Sequence, residues 1–451
     1  RQVMLGRKNK VAWVWGIFFV VSLILLHMSI RIYIGDEVKY FSHVLDESSV
    51  WEFIKLRYTN AASRIIIEVI LIHISRNIFL WKICNILMYL LWVYSLYKIT
   101  KVSSGFIFGL VMLYSFTDMA TAGWIATTLN YFWPLALGTY SFVVIDKIVQ
   151  GKKVNNYEVF LSIVAEIIAV NVEQYVVLHM LCLGIVFAYL LGIKDYSKKK
   201  FSIIGIHFVV SLASLLFIIT CPGNEARKIW ETKTNMKNFT TLSLVDKIIC
   251  GYNTTISGFL NQFCLLFFVF LLVVLVCVIR KSVNDENTYW IISISAIPSI
   301  IAIIASIGNV FQNGYFVTIS EALRQGIIIN GENWNKPIYY LVFISYVIFT
   351  ISIIFSIIYI FDDIFVGIVH GGLFLCAILV RVILGFSPTL YASSLRTFCF
   401  SYGVVIYITI IVLKEIKAMF SEKEWKKMEG LLFGICCVFV MEIVARISGM
   451  Y

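Results

Sequence analysis

Charged residues are scarce in this sequence. Asp, Glu, Lys and Arg make up 14% of its 451 residues, whereas 60% are hydrophobic. A soluble chain of this size could bury so much apolar surface only by leaving almost no polar shell. The sequence also lacks the alternating segments of about ten residues that form membrane barrels. These two absences exclude a soluble globular protein and a transmembrane barrel.

Signatures of several reaction classes are missing as well. No Walker A loop, HExxH or GxSxG is present, so ATP-driven, zinc-dependent and serine-hydrolase chemistry lack support. The ten cysteines show no CxxC or Cys/His ligand spacing and predict no metal centre. The net charge of +11 comes without a basic segment interleaved with aromatic residues, which argues against a nucleic-acid partner.

Apolar runs of about 16–24 residues are what the sequence has in abundance, and a helix of that length matches the hydrocarbon thickness of a bilayer. We therefore predict an all-α, polytopic membrane protein that crosses the lipid about thirteen times. No internal repeat or linker is visible, so residues 1–451 are expected to form one domain. The predicted spans are 11–32, 78–97, 102–118, 131–146, 157–172, 175–193, 201–220, 256–279, 289–307, 338–361, 364–384, 397–413 and 429–447.

The basic residues lie mainly in alternate short loops, as in cytoplasmic loops of membrane proteins. Counting spans places these loops on the same side as the basic N-terminus, so we expect a cytoplasmic N-terminus. The loop with Asp362 and Asp363 is the one exception. The basic loops lie at 98–101, 147–153, 194–200, 280–281 and 414–427.

The opposite face collects long polar loops, of which the first covers residues 33–77. Its second half carries Arg64, Glu68 and Arg76 at helical spacing among apolar residues, which predicts an amphipathic juxtamembrane helix. Arg64 and Glu68 are spaced for an i,i+4 ion pair. The stretch 61–76 could instead be a short span that inverts every later loop, but the later basic loops argue against it.

Asp36 and Glu37 are adjacent carboxylates just beyond the first span. Such a pair can supply a general base that deprotonates a hydroxyl, or it could hold a divalent cation. The alternative is the solvated start of a loop, which the mixed charges of residues 39–57 also fit.

Residues 118–134 combine aromatic and amide side chains at a predicted outer membrane boundary. Trp124, Asn130 and Tyr131 could stack on sugar rings and bond to their hydroxyls, although Trp and Tyr at such a boundary also form interfacial belts. Glu173 stands at the outer end of another span. Acids at membrane depth tend to face polar cavities, but at a span end a purely structural role is equally open.

Three arginines on the outer side are candidates for binding phosphate, because guanidinium groups pair well with phosphate oxygens. Arg227 follows the Cys-Pro-Gly-Asn turn that contains Asn224, and could equally be a loop arginine. Arg381 lies late in an apolar span, where it could snorkel to the interface instead. Arg396 follows the hydroxyl-rich segment 387–394.

Taken in order, these strings resemble a known family, the bacterial polytopic type C (GT-C) glycosyltransferases that modify cell-surface polysaccharides. The resemblance runs from about residue 30 to 400. It is carried by the acidic pair 36–37, the Gly-Trp…Asn-Tyr-x-Trp-Pro string of 123–134, Glu-Gln at 173–174, Pro-Gly-Asn at 222–224 with Arg227, and Ser-Pro-Thr…Arg at 387–396.

The resemblance implies a hexosyltransferase in the bacterial plasma membrane whose active site lies on the extracytoplasmic face. A polyprenyl-phosphate-linked sugar would be the donor and a polysaccharide the acceptor, with inversion at the anomeric carbon. Asp36 would be the catalytic base, with Glu37 as neighbour or substitute. The other implied roles are phosphate binding by Arg227, Arg381 and Arg396, and sugar binding by Trp124, Asn130, Tyr131, Glu173 and Asn224.

Two rival classes share parts of this pattern. A polysaccharide polymerase or ligase also uses lipid-linked sugars at the outer face, but it needs no acid after the first span. A transporter of lipid-linked glycans predicts pseudo-symmetric halves with interrupted helices, and the sequence shows no such repeat. The glycosyltransferase interpretation uses both the acid pair and the arginines.

Overall fold

The protein is described by a computed structural model over residues 2–261, 264–283, 285–310, 314–329 and 331–450. Within these ranges the regular elements are helices, and the only β-bridge is an isolated one between Thr121 and Gly123. In this described part of the chain, twenty α-helices follow one another. They are α1 Gln2–Ser29, α2 Val44–Glu47, α3 Val50–Asn60, α4 Ile65–Ile74, α5 Ile78–Thr100, α6 Ser104–Met112, α7 Trp124–Thr127, α8 Trp133–Val149, α9 Asn156–Ala169, α10 Glu173–Gly192, α11 Lys198–Thr220, α12 Pro222–Thr234, α13 Leu244–Asn261, α14 Leu265–Ser282, α15 Thr288–Ile307, α16 Tyr315–Gln325, α17 Pro337–Ile360, α18 Ile364–Val382, α19 Cys399–Glu415 and α20 Glu422–Ser448.

Eleven helical stretches in the described residues are long and apolar enough to cross a membrane. They have 18 to 27 residues, and each overlaps one of the predicted spans. At about 1.5 Å per residue the shortest reaches roughly 27 Å, close to the thickness of the hydrocarbon core. The prediction of an all-α, multi-pass membrane protein is therefore confirmed for the described residues by the number, length and composition of their helices.

The two remaining predicted spans, 102–118 and 157–172, contain shorter helices. Helix α6 has 9 residues and α9 has 14, below the length of a straight crossing. The chain around α6 nevertheless runs between two distant levels of α1. Gly105 packs against Trp15 in the middle of α1, whereas Ala122 accepts a hydrogen bond from the Asp36 amide beyond its end. The count of thirteen crossings stays a prediction.

The residue contacts group the chain into two compact units. The first unit comprises residues 1–231, 394–400 and 424–451, and the second comprises 232–393 and 401–423. The expectation of a single domain stays a prediction.

The core of the first unit satisfies its buried polar groups with one another. Asn85 on α5 contacts His27 on α1 (Nδ2 to Nε2, 2.9 Å) and accepts a hydrogen bond from the Trp133 indole on α8 at 2.9 Å. The Trp81 indole donates to Thr128 at 2.9 Å. Such interhelical hydrogen bonds hold apolar helices in register where hydrophobicity alone cannot distinguish neighbours.

The second unit packs its helices through aromatic rings and close glycine contacts. Phe259 of α13 stacks on Phe267 of α14 with ring centroids 4.5 Å apart. Gly251 of α13 lies against α18, where a Cβ would come within 2.2 Å of the Val382 carbonyl oxygen. Arg381, in the last turn of α18, is 4% exposed and belongs to this unit.

The first outer loop contains α3 and α4 instead of one continuous amphipathic helix over 61–76. Ser49 and Glu52 form a capping box that starts α3. Helix α4 begins after Arg64, and the predicted Arg64–Glu68 pair is not formed. The side chain of Arg64 contacts Glu173 and that of Glu68 contacts Arg57, because partners from other segments outcompete the neighbour on the same helix. A position on the membrane surface stays a prediction.

Candidate active site

The first unit contains a cavity of about 460 Å³. Helices α3 and α12 contribute to its walls, together with the turn before α4 and the helical stretch 126–131. Five of the ten candidate residues line it, four others lie outside its lining within the same unit, and one belongs to the second unit. The lining residues are Asp36, Asn130, Tyr131, Arg227 and Arg396, the four others are Glu37, Trp124, Glu173 and Asn224, and Arg381 is the tenth.

Asp36 is held at the cavity by the backbone around it. The Asp36 amide donates to the Ala122 carbonyl oxygen at 3.1 Å. Gly35 permits this approach, because its φ is +88° and a Cβ there would lie 2.6 Å from the same oxygen. The Asp36 side chain is exposed, and its carboxylate makes no hydrogen bond or ion pair with any residue that the structure describes. An acid in this state can accept a proton from a bound molecule.

Glu37 has a different environment although it is the next residue. It is 1% exposed, and its carboxylate accepts hydrogen bonds from the backbone amides of Ile125 at 3.3 Å and Ala126 at 3.4 Å. These amides lie in the first turn of α7, so Glu37 satisfies donors that a helix start leaves unpaired. Burial raises the pKa of Glu37 to about 7, against the opposing effect of these backbone hydrogen bonds.

Gly123 makes room for that carboxylate. Its φ is +104°, and a Cβ at this position would lie 1.6 Å from Glu37 Oε2. Gly123 of the Gly-Trp dipeptide therefore permits the docking of residues 35–37 on residues 122–126.

The two adjacent acids therefore have different surroundings. The Asp36 side chain is exposed at the cavity, whereas the Glu37 carboxylate faces backbone amides. Within the described parts of the chain, no group of three or more His, Cys, Asp or Glu side chains is placed to hold a metal ion. Binding of a divalent cation at Asp36 and Glu37 stays one of the two possibilities that the sequence raised for this pair.

Arg57 reaches the cavity from α3 and is fixed by a carboxylate. Its Nε and Nη2 atoms each lie 2.6 Å from an oxygen of Glu68 on α4, a two-point contact that fixes the plane of the guanidinium. The rings of Tyr40 and Phe41 face the same guanidinium at 5.8 Å. Arg57 is therefore a rigid cation in the wall.

Arg64 is the centre of a larger polar network. Its Nε donates to Glu173 at 2.6 Å and its Nη1 to the Asn130 side chain at 3.1 Å. The turn that carries it is held by Asn224, whose side chain accepts from the Ser63 amide at 3.2 Å and donates to the Ser63 hydroxyl at 3.0 Å. The residues predicted to bind sugar at 130, 173 and 224 thus position an arginine in the structure.

The turn at 222–224 has a matching packing role. Gly223 lies against the end of α3, where a Cβ would be 2.6 Å from the Arg57 carbonyl oxygen. The Cys221 thiol donates to the Tyr58 carbonyl oxygen at 3.3 Å. Only a glycine allows α12 to approach α3 this closely, which brings Arg227 to the cavity.

Arg227 and Arg396 are held less tightly than Arg57 and Arg64. Arg227 Nε lies 3.6 Å from Glu231 Oε1 one turn further along α12. Arg396 Nη1 contacts the Thr121 hydroxyl at 3.4 Å and pairs with no carboxylate of the described residues. Because Thr121 and Ala122 are neighbours, Arg396 and Asp36 are anchored to the same short segment.

The aromatic residues divide between core and cavity. Trp124 is 2% exposed and packs against Phe116 with ring centroids 5.4 Å apart, so its ring does not reach the cavity. Tyr131 lines the cavity at 8% exposure. Trp230 on α12, which the sequence did not single out, lines it at 61% exposure and offers the accessible ring.

Sequence reasoning missed the cavity roles of Arg57, Arg64 and Trp230. Arg57 looked like one of several mixed loop charges, and Arg64 like a member of a surface helix. Only the positions of their partners on separate segments distinguish them. The arrangement can bind an anionic group and accept a proton in the same space. Neither a protein-family model nor a curated protein nor a solved structure matches this chain.

Proposed function

We propose that this chain is a membrane glycosyltransferase that moves a sugar from a polyprenyl-phosphate donor to a cell-surface glycan. One observation carries the proposal beyond the resemblance of the sequence motifs. A single cavity holds an exposed carboxylate, Asp36, without a partner in the described residues, and four arginines that line the same space. Inverting glycosyl transfer from a lipid phosphate needs a base and a cationic environment for the leaving group.

In the proposed reaction, Asp36 accepts the proton of an acceptor hydroxyl. The hydroxyl oxygen attacks the anomeric carbon from the face opposite the phosphate and forms the new glycosidic bond. The bond between the anomeric carbon and the phosphate oxygen breaks, and the polyprenyl phosphate departs with the electron pair. Inversion follows from this single displacement, and the chemistry needs no nucleotide.

Asp36 suits the role of base better than Glu37. The Asp36 carboxylate is exposed at the cavity, whereas Glu37 is buried and occupied by the amides of Ile125 and Ala126. Proton transfer requires hydrogen-bond reach to the substrate. Glu37 would then act indirectly, because it ties the segment of Asp36 to the start of α7.

Arg396 and Arg227 are the proposed contacts of the departing phosphate. Neither is held by a two-point contact to a carboxylate like that between Arg57 and Glu68, so their guanidinium groups can turn toward a phosphate. Arg57 and Arg64 would supply fixed positive charge from the wall. Phosphate binding by Arg381 stays a prediction from the resemblance.

The proposed orientation puts the cavity on the extracytoplasmic side of the bacterial plasma membrane, with the N-terminus in the cytoplasm. The clustering of lysines and arginines in the opposite loops supports it. The contacts between the segments around Asp36, Ala122, Asn130 and Glu173 support a chain that returns to this end after α5 and after α8. The chain would return through the predicted spans 102–118 and 157–172, which are the two spans that raise the count from eleven to thirteen.

The test is a transfer assay with the purified full chain in lipid nanodiscs, a radiolabelled polyprenyl-phosphate hexose and cell-wall polysaccharide. Removal of a general base by Asp36→Asn is expected to lower the transfer rate about 100- to 10,000-fold while donor binding persists. The control is Asp46→Asn, which changes a carboxylate of the same outer loop that does not line the cavity.

Other outcomes separate the rival classes. Transfer at the wild-type rate by Asp36→Asn would remove this residue as base. Movement of an intact lipid-linked glycan across the bilayer without transfer would identify a transporter. Transfer of preassembled glycan blocks in place of single sugars would identify a polymerase or ligase.

A further inference from the structure

A second polar cluster lies in the first unit, where α8, α9, α10 and α11 pack together. Glu166 of α9, His179 of α10 and His207 of α11 are each 0% exposed. None of them lines the cavity of Asp36. Ionisable side chains at membrane depth are costly, so a site with three of them calls for a specific chemical role.

The two imidazoles converge on the Glu166 carboxylate and on the hydroxyl of Ser211. The Nδ1 atom of His207 contacts Glu166 Oε2. The Ser211 hydroxyl donates to Glu166 Oε1 at 2.7 Å, and His179 Nδ1 lies 3.0 Å from the same hydroxyl oxygen. His179 Nδ1 is also 3.5 Å from Glu166 Oε1.

Each imidazole also contacts one further serine through its Nε2 atom, and these contacts determine whether Nε2 carries hydrogen. The Ser141 hydroxyl donates to the Gly138 carbonyl oxygen at 2.7 Å, so its oxygen accepts from His179 Nε2 at 3.1 Å. The Ser162 hydroxyl donates to the Val159 carbonyl oxygen at 2.7 Å, so its oxygen accepts from His207 Nε2 at 3.4 Å. A hydroxyl has a single proton to donate, and therefore both Nε2 atoms carry hydrogen.

The contacts among Glu166, Ser211 and the two Nδ1 atoms need more hydrogens than the Ser211 hydroxyl supplies. Three hydrogen bonds connect Glu166 with the two Nδ1 atoms: His207 with Glu166, Glu166 with Ser211, and Ser211 with His179. Each requires one hydrogen, and the Ser211 hydroxyl supplies only one of the three. Two positions remain for mobile protons.

Charge decides how many of these positions are filled. With no mobile proton the cluster carries the single negative charge of Glu166, and with two it carries one positive charge. With one mobile proton it is neutral, which is the cheapest state in an apolar interior. The contact between Glu166 and His207 is the one that cannot form without a hydrogen from elsewhere, because Ser211 does not reach it.

We propose that Glu166, His179 and His207 form a buried proton-binding site. It holds one mobile proton between Glu166 and His207 and offers a second position at His179 Nδ1. The site is independent of the proposed sugar transfer. The helices that enclose it bring further titratable groups on α10: Tyr175, whose ring centroid is 5.9 Å from that of His179, and Cys182.

Nitrogen NMR of the wild-type chain in lipid nanodiscs, labelled with ¹⁵N-histidine, tests the proposal, and variants serve only to assign the signals. His207 is expected to carry hydrogen at Nε2 and to share hydrogen at Nδ1 at neutral pH. His179 is expected to carry hydrogen at Nε2 alone and to gain its Nδ1 hydrogen on acidification. The signals are assigned with His207→Gln and His179→Gln.

Glu166→Gln gives the second measurement. The glutamine amide donates a hydrogen of its own to the position that the mobile proton occupies in the wild type. The variant should therefore bind one mobile proton fewer per molecule, as measured in a pH titration monitored by infrared spectroscopy. Glu158→Gln, an acid at the surface end of the same helix that pairs with Lys147, is the matched control and should titrate like the wild type within this cluster. An ionised Glu166 with two neutral imidazoles throughout the titration would overturn the proposal, as would unchanged proton uptake by Glu166→Gln.

Discussion

The cavity of the first unit has a supporting frame and an open side, and these two parts differ in whether their charged side chains are paired. Its frame, defined here as Glu37, Glu68 and Glu173 with their protein partners, commits every carboxylate to a backbone amide or an arginine. Its open side, defined as Asp36 and Arg396, leaves an acid and a cation without an ionic partner among the described residues. Paired charges stabilise the fold, whereas unpaired ones remain for a substrate.

The difference has an energetic consequence. Removal of one member of a buried pair leaves an uncompensated charge, so frame variants should lose stability first. Removal of an exposed, unpaired charge leaves nothing stranded, so open-side variants should lose activity or binding while the fold persists.

The largest effect on stability is expected from Glu68→Ala. The Glu68 side chain is 5% exposed and that of Arg57 20%, so the variant strands a guanidinium in the wall. The free energy of unfolding in mixed micelles should fall by about 3 to 4 kcal/mol. Asp36→Asn is the open-side counterpart and should shift it by less than about 0.5 kcal/mol. Equal stability losses in both variants would break the distinction between frame and open side.

Glu37 gives the frame a dependence on pH. Its pKa rises from 4.5 to about 7 because it is buried, so the folded state binds its proton more tightly than the unfolded state. The stability of the wild type should therefore fall as the pH rises from about 4.5 to about 7, by about 2 to 3 kcal/mol in total.

Glu37→Gln should remove this pH dependence, because the amide does not titrate. Its single oxygen replaces only one of the two carboxylate oxygens that accept from Ile125 and Ala126, so the variant should also be less stable than the wild type at low pH. The check is thermal unfolding of both proteins across that pH range. Glu47→Gln, which changes an exposed acid of the same outer loop, is the control. Parallel pH profiles for the wild type and Glu37→Gln would contradict the assignment of a buried Glu37.

Gly123→Ala tests how the frame supports the open side. The substitution adds backbone strain at a φ of +104° and a collision between the new Cβ and Glu37 Oε2. The free energy of unfolding should therefore fall by about 2 kcal/mol, and the transfer rate should fall as well. Gly151→Ala is a matched control, since Gly151 has a φ of +69° but an added Cβ meets nothing within 4 Å. If both variants behave alike, strain alone explains the effect and the docking with Glu37 does not matter.

The smallest expected effect is on the open side. Arg396→Ala should weaken binding of a polyprenyl-phosphate donor about tenfold, which corresponds to about 1.4 kcal/mol, with unchanged unfolding. Arg446→Ala, which removes an exposed arginine paired with Glu442, should bind the donor like the wild type. Unchanged donor affinity in Arg396→Ala would remove this residue from the proposed phosphate site.

Local composition was enough to predict the eleven long apolar helices of the described residues. The apolar runs set them, because a bilayer imposes a fixed length on each crossing. The runs at 102–118 and 157–172 were harder, since α6 and α9 end early in turns that spacing does not reveal. The Arg64–Glu68 pair failed for a related reason, because both residues found partners outside their helix.

The site was predictable as a set of residue types but not as an arrangement. Asp36, Arg227 and Arg396 stood out as charges beside predicted spans, and the structure brings all three to one cavity. The different environments of Asp36 and Glu37 depend on the α7 start, 88 residues away in sequence. Sugar binding by Asn224 and Glu173 stays a prediction, and their contacts to Ser63 and Arg64 arise only in the folded chain.

The anomeric configuration of the transferred sugar tests the central proposal most directly. The wild-type chain in nanodiscs would be given a donor of defined anomeric configuration. NMR would then determine the anomeric configuration of the new linkage in the product for comparison with that of the donor. A single displacement assisted by Asp36 predicts inversion. A retained configuration, or no transfer from any polyprenyl-phosphate sugar, would contradict the account.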